Sequence, residues 1–245
     1  MTQKLFAIAV GATLAMGLAT TSLAQDSVRL GTEGAYPPFN FLNDAGEVDG
    51  FERELGDELC ERAQLDCVWV TNEWDSIIPN LVSGNYDAIM AGMSITDERD
   101  TVIDFTQNYV PPLISAFISK SADLDLTGAV VAAQSSTTES AYIASSDSSL
   151  IEFATPDEML SALNSGEADA VFADKKYLDP IVTDSGGDLV WIGEDVQIGD
   201  GVGIGIRESD PELLAKFDKA IRDMKQDGTL NALLSKWFGE DADQF

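Results

Sequence analysis

The chain has 245 residues, with 43 acidic against 14 basic side chains, no histidine and a net charge of −29. That balance excludes charge-driven binding to nucleic acid or to anionic membrane surfaces. The lack of histidine excludes Ser-His-Asp and Cys-His catalysis, while acids spread along the whole chain speak for solubility and do not by themselves specify a cationic ligand.

The first 24 residues read as a signal peptide. Lys4 is followed by the apolar, small-residue-rich stretch Leu5 to Leu18, and Ser22-Leu23-Ala24 fits a small-x-small cleavage site. The stretch is short for a membrane anchor, and no cysteine follows it as a lipoprotein would need. Cleavage near Ala24 would leave about 220 residues, enough for one large domain or two small ones.

Val28-Arg-Leu-Gly predicts a first strand, Tyr36-Pro-Pro-Phe a loop and Asn43 to Gly46 a turn. Phe51, Leu55 and Leu59 mark one face of a helix, and Val68-Trp-Val a strand. Asp75 to Leu81 opens a helix that stops at Gly84, and Asp87 to Met90 is a strand. Thr96 is placed as the N-cap of a helix carrying Arg99. Val130 to Ala133 is a strand, and Ser136-Thr-Thr-Glu139 and Thr155-Pro-Asp-Glu158 both fit a capping box. Asp169 to Phe172 and Leu189 to Ile192 are strands. Two amphipathic helices follow, one from Asp210 to the Gly228 stop and one along Leu230 to Trp237.

One phrase occurs twice, 82 residues apart: Leu81 to Ala91 and Leu163 to Ala173 each read as helix end, Gly, acid, short apolar strand. Alternating strands and helices with such a repeat predict an α/β fold of two similar lobes with mostly parallel sheets. Leu113 to Ser119 and Gly201 to Ile206, extended and apolar, are the predicted crossings between lobes. Ligands of open α/β sheets bind beyond the carboxyl ends of strands, which directs attention to Gly92 to Ser94 and to Asp174.

Arg99, at a helix start, suits a two-bond grip on a carboxylate; a surface pair with Asp97 or Asp100 is the plainer reading. Ser136, Thr137 and Thr138 offer hydroxyls and N–H groups to the same anion, or simply cap their helix. Asp174 either neutralises an ammonium or pairs with Lys175 or Lys176. Tyr36 and Trp74 could stack on a ligand or serve packing. An anion grip on one lobe and a carboxylate on the other suit a zwitterion. Cys60 and Cys67, late in a helix and at the start of the next strand, favour a disulfide in an exported protein over a metal site, for which ligands are lacking.

Gly50-Phe-Glu-Arg-Glu-Leu55, the run Asp87 to Arg99 with Ser94-Ile-Thr-x-x-Arg99, and Ile103-Asp-Phe-Thr106 resemble the polar amino-acid-binding proteins of bacterial ABC importers. Gln134-Ser-Ser-Thr-Thr138, Ala170 to Asp174 and Gly228-Thr-Leu230 extend the resemblance over nearly the whole mature chain. The resemblance implies a type II periplasmic-binding-protein fold with two hinge strands, lobe 1 being 25–112 plus 204–245 and lobe 2 being 113–203. It implies that Arg99 holds the ligand α-carboxylate with Ser94 and Thr137, and that Asp174 holds the α-ammonium with the backbone at Ala91 and Gly92. Tyr36 and Trp74 would sandwich the side chain and Glu33 stand near its end. Cys60–Cys67 matches a disulfide of the basic-amino-acid branch.

Four positions depart from the pattern. Ala91-Gly92 replaces a pair of serines common in basic-amino-acid binders. Ala133 stands where a glutamine-type member has lysine, and Ser135 replaces a frequent glycine. The expected function is delivery of an L-amino acid, leaning to arginine, lysine or ornithine, to an inner-membrane permease, by a periplasmic monomer with no cofactor, no metal, no nucleic-acid partner and no catalysis. The rivals are an enzyme on the same fold, resembling a cyclohexadienyl dehydratase with Glu33 as general acid, and a module that presents ligand to a sensor.

Overall fold

The computed structural model describes residues 27–245, so the signal-peptide reading of residues 1–24 lies outside the described residues. In chain order the elements are β1 (Val28–Thr32), β2 (Ala35–Tyr36), β3 (Asn40–Leu42), β4 (Val48–Asp49), α1 (Phe51–Ala63), β5 (Cys67–Thr71), α2 (Ile77–Val82), β6 (Ala88–Ile89), α3 (Asp97–Asp100), β7 (Asp104–Phe105) and β8 (Ile114–Ser119). There follow β9 (Val130–Gln134), α4 (Thr138–Ala144), β10 (Ser149–Phe153), α5 (Pro156–Ser165), β11 (Ala170–Asp174), α6 (Lys175–Asp184), β12 (Val190–Gln197), β13 (Gly205–Ile206), α7 (Pro211–Asp227) and α8 (Thr229–Phe238).

Two five-stranded sheets, ordered β5-β1-β6-β13-β7 and β10-β9-β11-β8-β12, form the centres of two lobes. In each, three neighbouring strands are parallel (β5, β1, β6 and β10, β9, β11), as the alternation of strands and helices dictates. The remaining strands are antiparallel to their neighbours. The reason is topological: β8 and β13 are the strands the chain enters on arriving from the other lobe. A β2-β3-β4 hairpin sheet lies on the first lobe.

The predicted crossings are therefore displaced. Ile114–Ser119 is a strand of the second sheet, and Gly205–Ile206 a strand of the first. Val202 bridges both Ser94 and Val110, so the chain passes between lobes in 111–113 and 198–201. Apolar content and lack of caps mark buried strands and crossings alike, which is why the two were merged.

The repeated phrase lies on corresponding elements. α5 ends at Gly166 with φ 81°, and Gly84, at φ 81°, follows α2 after one residue. The strands after them are buried on both faces. Ala88 and Met90 enter one core and Ile89 and Ala91 another, while Val171 and Ala173 are separated in the same way from Ala170 and Phe172.

α1, α7 and α8 close the first lobe, packing Leu55, Leu59, Phe217, Ile221, Leu230 and Leu234 into one core. The disulfide Cys60–Cys67 joins α1 to β5. Gly50, which starts α1, has φ 114°, and a Cβ there would lie 2.6 Å from the Phe39 carbonyl oxygen. Gly50→Ala should cost on the order of 1–3 kcal/mol through backbone strain alone, read as a lowered thermal midpoint.

Candidate functional site

A cavity with about 470 Å³ of empty space, its mouth included, opens between the lobes. Glu33, Tyr36, Trp74, Ala91, Gly92, Ser94 and Arg99 line it from the first lobe. Thr137, Glu139 and Asp174, with Gln134, Thr138, Met159, Phe172 and Ala173, line it from the second. Several of these residues lie at or after a strand end: Glu33 follows β1, Ala91 to Ser94 follow β6, Thr137 follows β9, and Asp174 ends β11.

Arg99 sits in the single-turn α3, whose N-cap Thr96 accepts the Arg99 N–H at 3.2 Å. The guanidinium donates to the Ser94 carbonyl at 2.9 Å and, across the cleft, to the Ser136 carbonyl at 3.3 Å. It lies 5.4 Å from the Trp74 ring centre, within cation–π range. Desolvation lowers its pKa, opposed by the negative charges of Glu139, Glu98 and Asp174. Both carbonyls are fixed acceptors, so the side chain is oriented by backbone rather than by Asp97 or Asp100.

Asp174 is buried and precedes α6 without capping it. The Tyr36 hydroxyl donates to its Oδ2 at 3.1 Å, and the Asp174 N–H donates to that hydroxyl at 3.3 Å. Burial drives the Asp174 pKa well up, Glu139 adds to the rise, and Tyr36 and Arg99 oppose it. Lys175 instead meets Asp195 at 2.6 Å, and Lys176 reaches the Phe238 carbonyl.

Glu33 accepts from Gln134 Nε2 of the opposite lobe at 2.7 Å. Burial pushes its pKa up to about 7. Its charged neighbours are Glu73 and Asp75.

The two aromatics are held. Tyr36 stacks on Tyr177 with ring centres 4.3 Å apart and planes 9° from parallel, and Trp74 Nε1 donates to the Ser136 carbonyl at 3.3 Å. Both line the cavity, but each is also a contact between lobes. Ser135 Oγ to Asp75 at 2.7 Å is a further one.

Ser136 does not line this cavity. It takes φ 58°, and its carbonyl is the part that matters, accepting from both Arg99 and Trp74. The turn shifts the helix start by one residue. Thr137, not Ser136, is the N-cap of α4: it accepts the Ser140 N–H at 3.1 Å, so the capping box expected at Ser136-Thr-Thr-Glu139 does not form. The Thr137 hydroxyl also donates to the Gln134 carbonyl at 2.7 Å.

Glu139 is freed by that shift. It is buried, lines the cavity, and accepts from Ser115 Oγ at 2.8 Å and from Thr138 Oγ1 at 2.9 Å. The sequence reading missed it because the capping pattern accounted for it. Phe172 and Ala173 lie inside the repeated phrase itself, where alternation hid which faces the cleft.

The cavity thus gathers three acids and one guanidinium in a low-dielectric space, an arrangement that can hold an anionic group beside an ammonium and still favour positive charge.

A structure of a periplasmic His/Glu/Gln/Arg/opine family-binding protein from Silicibacter pomeroyi in complex with lysine is 66% identical, with a TM-score of 0.88, over 89% of this chain and 100% of that one. The lysine/arginine/ornithine-binding periplasmic protein of Escherichia coli K12 is 30% identical over 97% of each chain. The L-arginine-binding protein of Pseudomonas aeruginosa is 32% identical over 90% of this chain and 91% of its own. The profile of the bacterial extracellular solute-binding proteins, family 3, matches residues 28–240. With its two-lobed α/β fold and interlobe cavity, the chain belongs to the family 3 bacterial extracellular solute-binding proteins.

Proposed function

We propose that this chain captures an L-amino acid with a cationic side chain in the periplasm, after removal of residues 1–24, and delivers it as a monomer to the permease of an ABC importer. The observation that carries this reading is the set of Glu33, Glu139 and Asp174 against the single Arg99 in the lining of one interlobe cavity. An α-carboxylate and α-ammonium use Arg99 and Asp174, leaving uncompensated negative charge for a second cation. The lysine complex of the 66%-identical relative supports the same class.

The assignment follows from the groups. Arg99, with Ser94 and Thr137, receives the α-carboxylate, with Ser136 orienting Arg99 through its carbonyl. Asp174 and the backbone at Ala91 and Gly92 receive the α-ammonium. Tyr36 and Trp74 wall the side chain, and Glu33 receives its charge. The two lobes divide and hinge at the crossings, 111–113 and 198–201. The chain binds its ligand without converting it, in keeping with relatives named as binding proteins.

Mass spectrometry of ligand retained through native purification, followed by calorimetry, tests this. We expect lysine, arginine or ornithine to bind tightest; a preference for glutamine or glutamate would overturn the cationic assignment.

Affinity should also depend on pH. A carboxyl group whose pKa is raised in the fold favours the folded state below its unfolded value near 4.5, and that contribution is lost as pH rises through about 7. A cationic side chain favours the ionised form of Glu33 and should expel its proton on binding. Affinity for the cationic amino acid should therefore climb from about pH 5 to about pH 8, with proton release measurable in buffers of different ionisation enthalpy. Glu33→Gln should flatten the climb.

A further inference from the structure

Glu52 lies outside the cavity lining, yet it is fully buried in the first turn of α1. A buried carboxylate is costly unless its oxygens are bonded. Glu52 Oε1 accepts the Gly92 N–H at 2.7 Å and the Tyr109 hydroxyl, and Oε2 accepts from Asn40 Nδ2 at 2.7 Å. Asn40 Oδ1 in turn accepts the Gly34 N–H at 2.7 Å. That backbone donor fixes the amide orientation, oxygen toward Gly34 and nitrogen toward the carboxylate. Burial raises the Glu52 pKa, and the three donors oppose the rise.

One side chain therefore ties together three separate segments. The first is 33–36, carrying Glu33 and Tyr36. The second is 91–94, carrying Ala91, Gly92 and Ser94. The third is Tyr109, whose N–H bonds the Val202 carbonyl at 2.7 Å beside both crossings.

We propose that Glu52 is a positioning residue for the ligand site, holding the Gly92 and Gly34 segments in register through one alternating chain of donors and acceptors. This rests on the cavity being the ligand site. The chain has a definite polarity, which makes it testable. In Glu52→Gln, the new amide must present its nitrogen either to Asn40 or to Gly92. If it faces Asn40, either two NH₂ groups meet or Asn40 flips and turns its own NH₂ toward the Gly34 N–H. If it faces Gly92, the Gly92 N–H loses its acceptor. In the double variant Asn40→Asp, Glu52→Gln every pair is restored. The carboxylate introduced at position 40 accepts from the Gly34 N–H and from the amide nitrogen introduced at position 52. The oxygen of that same amide accepts from Gly92 and Tyr109.

Calorimetry with lysine and arginine on the purified chain, its single variant and its double variant reads the effect. We expect Glu52→Gln to bind about tenfold or more weakly and the double variant to recover most of the wild-type affinity. Wild-type affinity in folded Glu52→Gln, or a folded double variant as weak as the single one, would overturn the proposal. If the single variant does not fold, a folded, binding double variant supports it and a double variant that is unfolded or does not bind overturns it. Should the wild type bind neither amino acid, the ligand reading fails separately. Amide hydrogen exchange at Gly34 and Gly92, measured without ligand, still decides whether Glu52 holds both segments: acceleration at either in the single variant with reversal in the double one is the expected result, and unchanged exchange the contrary one.

Discussion

Arg99→Ala should weaken amino-acid binding about 30-fold or more in calorimetry while leaving the fold intact by circular dichroism. Arg99 is held by two backbone carbonyls and a tryptophan face, none of which needs its charge for folding. Its positive charge is the one that faces the cavity against three acids. Without it, a ligand carboxylate would enter a desolvated space whose remaining charges repel it. Removing one partner of a buried, hydrogen-bonded charge pair costs about 2–5 kcal/mol, a loss of about 30-fold to several thousand-fold. Arg99→Lys should restore little, because an ammonium cannot make the paired bonds of a guanidinium while also reaching the Ser94 and Ser136 carbonyls. Binding within threefold of wild type in Arg99→Ala would dismiss the carboxylate assignment.

Asp174→Asn is the complementary case. The amide keeps the size of the side chain and can still accept from the Tyr36 hydroxyl, so the contact between lobes survives. What disappears is the negative charge opposite a desolvated ammonium. We expect a weakening of about 100-fold or more. The decisive comparison is between an L-amino acid and its deaminated analogue. Wild type should prefer the amino acid strongly, and Asp174→Asn should lose that preference, whereas Arg99→Ala should lose discrimination between the acid and its amide. If Asp174→Asn kept the wild-type preference for the amine, the ammonium would have to be held elsewhere, with Glu139 the nearest candidate on chemical grounds.

Local chemistry made much of the architecture legible. Gly84, Gly166 and Gly228 all take left-handed conformations at or just after a helix end, where sequence placed the stops. Thr96 and Thr155 are N-caps as their neighbours dictate, and the Thr155 box forms completely. The predicted capping box at Ser136 failed because one positive φ, at Ser136, advanced the helix by a residue. No propensity argument anticipates that for a serine.

The candidate residues were legible where they follow a strand end, because topology brings strand ends together. The partnerships were not. Tyr36 meets Tyr177 and Asp174 across 138 or more residues, and Glu52 reads in sequence as an ordinary first-turn acid. Only the approach of Asn40, Gly92 and Tyr109 reveals it as buried.

The return of α7 and α8 to α1 has a consequence for how each lobe is closed. Phe238 packs its ring 4.9 Å from that of Phe51, so α8 completes the core that α1 began. The second lobe, by contrast, is one unbroken span. It can close on contacts within one stretch of chain, but the half that carries the guanidinium closes only when α7 and α8 reach back to α1. Loosening α8 should therefore disturb the lobe that carries Arg99 before it disturbs the other.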